Sequence, residues 1–159
     1  IVERETGVAA ERPQVAAVFV NRLREGMRLQ SDPTIIYGIT LGQSTLERGL
    51  RRSEIQEATP YNTYQIDRLP PTPIAKPGID ALEAVAHPDS HNYLYFVAKG
   101  ALPSEGHVFA ETYAEHQQNV ARYREIERQS AEQSATDAEE TRQELEAQEA
   151  EGATESAPE

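Results

Sequence analysis

Apolar positions along the chain recur at helical spacing near the start. In residues 1–10 (IVERETGVAA) a helix would carry Ile1, Glu5 and Val8 on one face. Glu11-Arg12-Pro13 reads as a break and a new helix start, with proline in the first turn. Val15, Val18, Phe19, Arg22 and Leu23 then follow at helical spacing, and Gly26 is placed to end that helix. Asp32-Pro33 predicts another start, Asp32 as the cap, for the short piece TIIYG. Residues 38–60 are polar and loop-like, with Ser53 and Gln56 spaced as a capping box for one turn.

The second half of the pattern changes character. Residues 69–78 (LPPTPIAKPG) hold four of the ten prolines, so they predict an extended, stiff segment anchored on the core by Leu69 and Ile74. A short helix follows over 79–86 and stops at His87-Pro88. YLYFVA (93–98) reads as a strand, and HVFA (107–110) as its hairpin partner. Thr112 and Glu115 form a capping box for a last helix through Tyr113, His116, Val120 and Tyr123. The expected class is α+β: a helix-dominated domain with one small β-hairpin.

Charge then divides the chain. Residues 126–159 carry 11 acidic and two basic residues, which accounts for −9 of the formal charge of −12. Besides alanine their only apolar residues are Ile126 and Leu145. Two units follow: a domain over 1–125, and an acidic tail over 126–159 that runs from solvated helix into disorder. The acidic balance excludes a nucleic-acid binder, whose affinity comes largely from cationic contacts to phosphate. No apolar run approaches the roughly 18–20 residues of a membrane span. The chain begins at Ile1, directly on an amphipathic pattern, and reads as a piece whose upstream part is missing. With no cysteine, disulfides, zinc–thiolate sites and cysteine nucleophiles are excluded.

Few residues offer chemistry. His87 and His91 are four apart, but Pro88 keeps them off one helical face, and the four histidines read as separate structural or loop residues. At about 100° per residue, Glu3 and Glu5 point to opposite sides of a helix and cannot act as a carboxylate pair. Glu5 lies on the apolar stripe, where burial raises a carboxyl's pKa and suits it to donate a proton. A pairing of Glu5 with Arg12 or Arg22 fits the same pattern. Aromatic and polar residues recur at Gln30-Ser31-Asp32-Pro33, Tyr37 and Tyr61-Asn62-Thr63-Tyr64, a mixture suited to a sugar-binding groove or to an ordinary surface.

Taken in order, IVERET (1–6), AAVFVNRLREGMRLQSDPTIIYG (16–38), TPYNTYQIDRLPPTPIAKPG (59–78), ALEAVAHP (81–88), YLYFVA (93–98) and GHVF (106–109) resemble one family. It is the endolytic murein (peptidoglycan) transglycosylases of the MltG/YceG type. The resemblance covers most of 1–125 and none of the tail. It implies a lyase that cuts glycan strands between N-acetylmuramic acid and N-acetylglucosamine and leaves 1,6-anhydro ends. It places the catalytic glutamate on Glu5, with Glu3 as runner-up, and substrate positioning on Gln30, Asp32, Tyr61, Asn62 and Tyr64. It implies no cofactor and no metal. The partners it implies are peptidoglycan strands and cell-wall synthases. It further implies an anchor in the inner (cytoplasmic) membrane and a LysM-like region upstream, with the catalytic part on the periplasmic or outer side. A muramidase-type hydrolase and an inactive glycan-binding module are the competing expectations.

Overall fold

The computed structural model describes residues 1–155. Six helices and one hairpin follow in chain order: α1 Val2–Glu5, α2 Arg12–Arg24, α3 Asp32–Thr40, α4 Arg52–Gln56, α5 Ile79–Ala86, β1 Tyr95–Ala98, β2 His107–Ala110 and α6 Tyr113–Glu155. The class is α+β, as expected. The central helix is α2, which packs against α1 and α5. Val2, Val15, Ala16, Phe19, Leu29 and Ala84 form the core, with Ile1, Phe96 and Phe109 against it.

The first helix is shorter than its pattern. It stops at Glu5, and Thr6 turns extended at φ −135°, ψ 136°. The Thr6 hydroxyl accepts the Val8 N–H at 3.0 Å, a local bond that competes with continuing the helix. Val8 is therefore not on a shared helical face with Glu5. A single 3-10 turn over Ala9–Glu11 leads into α2, which starts at the predicted point with Pro13 in its first turn and ends at Gly26, φ +67°.

Two further boundaries differ from the pattern. The cap position of α3 is Ser31, not Asp32, and neither side chain caps the helix. The one-turn helix α4 starts at Arg52 and is fixed by Glu54, which accepts the Arg51 N–H at 2.7 Å, so the Ser53–Gln56 box is not used. The proline strap over 69–78 is anchored on one side only. Ile74 is 7% exposed, but Leu69 is 56% exposed. Polar ties add to Ile74: Glu3 Oε2 accepts the Gly78 N–H at 3.0 Å, and the Tyr61 hydroxyl lies 2.8 Å from Thr72 Oγ1.

The hairpin is antiparallel, with Tyr95 opposite Ala110 and Ala98 opposite His107. Thr112 and Glu115 form the predicted box at the start of α6, with bonds of 3.1 and 3.3 Å. The helix passes residue 126 without a break. Beyond Ile126 every side chain whose burial is described is exposed, and Arg128 and Arg142 pair with glutamates on their own helix. The expected run from helix into disorder carried no boundary: the tail is helical to Glu155, and residues 156–159 lie outside the described ones. Exposed pairs one helical turn apart contribute only about 0.3–0.5 kcal/mol each. Removal of residues 130–159 is therefore expected to leave the domain's melting temperature within about 2 °C of the parent. Differential scanning calorimetry of the two chains tests this, and a drop of several degrees would show that the tail packs on the domain.

Candidate active site

Helix α1 presents its two glutamates in opposite directions. Glu3 faces the strap and is held by Gly78. Glu5, half-buried, faces the start of α3, where its Oε1 accepts a short hydrogen bond from the Ser31 hydroxyl. It forms no ion pair among the described residues. Arg12 instead binds Asp80 at 3.1 Å. Arg22 is 6% exposed, and its guanidinium donates to the carbonyls of Leu94 at 2.6 Å and Leu29 at 2.7 Å. The arginine pairing that the pattern left open for Glu5 is thus absent.

Burial is the main cause of a Glu5 pKa above the ordinary carboxyl value, and the neighbouring Asp32 carboxylate adds to it. The Ser31 hydroxyl and the charge of His107 act in the opposite direction. The result is a carboxyl that keeps its proton to higher pH than a solvated one and still has a donor ready for its ionised form. Those are the two states a group needs to give a proton and take one back.

The platform under Glu5 is a network of buried hydroxyls. Thr34 Oγ1 donates to the Ser31 carbonyl at 2.6 Å and lies 2.9 Å from Thr63 Oγ1, which accepts the Ser31 N–H at 2.9 Å. Ser31, Thr34 and Thr63 are all at most 1% exposed. Gln30, at φ +52°, donates its N–H to the Thr63 carbonyl at 3.1 Å. Ser31 and Asp32 are both good capping types, yet one bonds Glu5 and the other accepts the Tyr64 hydroxyl at 2.6 Å. Helix α3 forgoes a cap that is worth about 1 kcal/mol, and its first two polar side chains serve the site.

Of the five residues expected to position substrate, Asp32 and Tyr64 stand near enough to Glu5 for the charges to act on one another, while the exposed Gln30 accepts from Arg22 at 3.4 Å. Burial and the bond to Asp32 hold the Tyr64 phenol well above its ordinary pKa, so it remains a hydroxyl donor. Asn62 lies inside the fold. It is 0% exposed, and its amide nitrogen reaches the carbonyls of Glu54, Ile55 and Glu57 at 3.2, 3.0 and 2.7 Å. It braces a loop, and its Oδ1 fixes the Tyr64 backbone at 3.0 Å. Tyr61 turns to the strap, with its hydroxyl 2.8 Å from Thr72 Oγ1 and its ring 5.1 Å from Tyr37. A groove of about 1060 Å³ runs between α3 and the strap, with Glu3, Arg4, Ile36, Tyr37, Ile74 and Lys76 on its walls. Glu5 is not on those walls, although Glu3 and Arg4 of the same helix and Pro33 of α3 are.

The histidines have separate roles. His91 Nε2 lies 3.1 Å from the Gln14 carbonyl, and His116 stacks on Tyr95 at 5.1 Å. His107 Nδ1 binds Glu11 at 2.9 Å. Sequence reasoning set Ser31 in a polar stretch but gave it no role beside Glu5. Ser31 left a signal: two consecutive capping types before Pro33, where one suffices.

A model described as the YceG-like family matches residues 1–122. The chain belongs to this family. Among YceG-like relatives, an endolytic murein transglycosylase of Bacillus subtilis is 40% identical over 124 residues, which are 77% of this chain and 32% of the relative. One of Streptococcus pneumoniae is 34% identical over 125 residues, 77% of this chain and 22% of the relative. The crystal structure of a yceG-like protein from Listeria monocytogenes superposes with a TM-score of 0.66 at 34% identity, over 74% of this chain and 36% of that one. The chain thus spans about a third or less of the length of these relatives.

Replacement of Ser31 by alanine on this YceG-like scaffold removes the hydroxyl that favours ionised Glu5, so the Glu5 pKa should rise further. With Glu5 as the proton donor, the expected outcome is an alkaline limb of the cleavage profile displaced to higher pH, because Glu5 then holds its proton more tightly. Rates on glycan strands measured from pH 4 to 9 check it (range chosen around ordinary carboxyl and histidine values). An unmoved limb would remove Ser31 from the acid's environment.

Proposed function

We propose that the chain carries the catalytic part of an endolytic peptidoglycan lytic transglycosylase. It cleaves between N-acetylmuramic acid and N-acetylglucosamine and leaves 1,6-anhydro-N-acetylmuramic acid ends, which limits strand length. The observation that carries this reading is the Glu5 carboxyl, half-buried, without an arginine and bonded to Ser31. The naming of relatives as endolytic murein transglycosylases supports the substrate.

In the first step neutral Glu5 gives its proton to the glycosidic oxygen as the bond from muramyl C1 to that oxygen breaks. The Glu5 carboxylate then takes the proton of the muramyl C6 hydroxyl as that oxygen bonds to C1. Glu5 ends protonated as it began, and no water is consumed. Gln30, Asp32 and Tyr64 are the groups at hand to bond sugar hydroxyls and amides, and the adjoining groove accommodates the strand. Beyond the chemistry, the reading places the whole protein at the inner membrane, with this part on the periplasmic or outer side near the cell-wall synthases. No helix among the described residues is long and apolar enough to cross a membrane, so an anchor would lie in another segment.

Digestion of purified glycan strands, followed by mass analysis of the ends, tests this. Products lacking one water relative to hydrolysed ends support it. Ends carrying that water would make the protein a muramidase, and binding without shortening would make it a glycan-binding module.

A further inference from the structure

Gln30 holds a backbone conformation that a side chain does not favour. At φ +52° it is one of two non-glycine residues in the left-handed region among the described ones, and the other, Leu41, ends α3. Gln30 ends no helix. It is held by two polar bonds: its N–H donates to the Thr63 carbonyl at 3.1 Å, and its side-chain Oε1 accepts from the Arg22 guanidinium at 3.4 Å. Arg22 is the rigid partner, because it is buried and also donates to the carbonyls of Leu94, Arg28 and Leu29 at 2.6, 3.3 and 2.7 Å. A guanidinium has donors only, so the oxygen end of the Gln30 amide must face it. The nitrogen end, with its two N–H donors, is turned away from Arg22. Gln30 is exposed, and its Nε2 donates to no group among the described residues. The next residue is Ser31, whose hydroxyl bonds Glu5.

We propose that Gln30 reads the N-acetyl group of the strand: its Nε2–H donates to the acetamido carbonyl of a sugar bound beside Glu5. This rests on the reading of the chain as a protein that acts on N-acetylated glycan. The orientation of the amide carries the choice of ligand group. Sugar hydroxyls both give and accept hydrogen bonds, whereas the acetamido oxygen only accepts, and it is the match for a group that can only give. A free glutamine could turn its amide over and meet either kind of partner. Gln30 cannot do so without setting its own NH₂ against the guanidinium. The carboxylate of a muramyl lactyl group also only accepts, but the Asp32 carboxylate two residues further on repels it. The left-handed backbone points the same way, since such strain in a non-glycine residue gathers at ligand clamps. Adjacency to Ser31 sets the distance: one peptide unit, about 3.8 Å between Cα atoms, separates the residue that meets the sugar from the one that bonds the acid. Arg22 is then a positioning residue for Gln30 and does not itself touch the strand.

The test compares parent, Gln30→Glu and Gln30→Met chains on purified glycan strands and on the same strands after chemical de-N-acetylation. It reads kcat/KM for cleavage and Kd for binding, with melting curves alongside. Glutamate keeps an oxygen facing Arg22 but loses the N–H donors, and methionine keeps the stem and loses both polar ends. On acetylated strands each variant is expected to lose about tenfold in kcat/KM and in affinity, the scale of one hydrogen bond left unmade. The parent should prefer acetylated over de-N-acetylated strands by at least that factor, and the preference should shrink toward parity in both variants. Gln30→Glu should melt no lower than the parent, since its carboxylate meets the guanidinium. A preference for acetylated strands as large in the variants as in the parent would overturn the proposal, and so would near-parent rates and affinities on acetylated strands. Should Gln30→Glu fail to fold, the same ratio in Gln30→Met decides. Absence of cleavage by the parent would strike the enzymatic reading instead, and the ratios of affinities would still decide for Gln30.

Discussion

Glutamine at position 5 is expected to lower strand cleavage by about 10²–10⁴-fold, the usual worth of a general acid–base group. The amide keeps the size of the carboxyl and can still accept from Ser31, but it can neither give the glycosidic oxygen a proton nor take one from the C6 hydroxyl. Folding should improve slightly, because burial and Asp32 raise the native pKa of Glu5 above its ordinary 4.5. The native state then binds this proton more tightly than the unfolded chain does. Ionisation therefore costs stability as pH rises from the ordinary carboxyl range through the raised value, and the full cost persists above it. Glu5→Gln should accordingly melt higher than the parent at neutral pH, with the advantage vanishing below about pH 4. Glu3→Gln should reduce cleavage much less, because Glu3 ties α1 to Gly78 and lies on the other side of the helix. Rates of both variants on the same strands, with melting curves, decide the matter. Near-parent cleavage by Glu5→Gln together with a dead Glu3→Gln would transfer the acid to Glu3.

Arg22→Met should destabilise the fold by about 2–4 kcal/mol, or roughly 10 °C in melting temperature. Methionine fills much of the volume and keeps α2 helical, so the loss isolates the guanidinium. Without it, the carbonyls of Leu94 and Leu29 lose their charged donor in a site that is 6% exposed. The guanidinium also lies over the Tyr95 ring, 5.3 Å from its centre. Because it clamps Leu29 beside Gln30 and Ser31, cleavage by the folded fraction should fall as well. Urea unfolding of the two chains measures the effect. A change below about 1 kcal/mol would mean that water replaces the guanidinium at those carbonyls.

The elements of this fold follow closely from local patterning, because local chemistry fixes them. Pro13 and Gly26 bound α2, the Thr112–Glu115 box opens α6, and the alternating YLYFVA and HVFA segments pair as a hairpin. The polar, alanine-rich composition after Ile126 likewise dictates a solvated helix. The opposite directions of Glu3 and Glu5 are also local, since a helix separates residues two apart. Where local pattern was not enough, a side chain had a distant partner. Asn62 has the composition of a sugar-binding residue, but carbonyls at positions 54–57 claim its amide. Asp32 has the position of a helix cap, but Tyr64 claims its carboxylate. No spacing rule could show that Ser31, 26 positions away, serves Glu5, or that Glu11 and His107 meet across 96 positions. The sequence by itself determined which helices and strands form and which glutamate faces inward. Tertiary structure alone decided what that glutamate touches, because burial and charge at one carboxyl are set by groups that only the folded chain brings together.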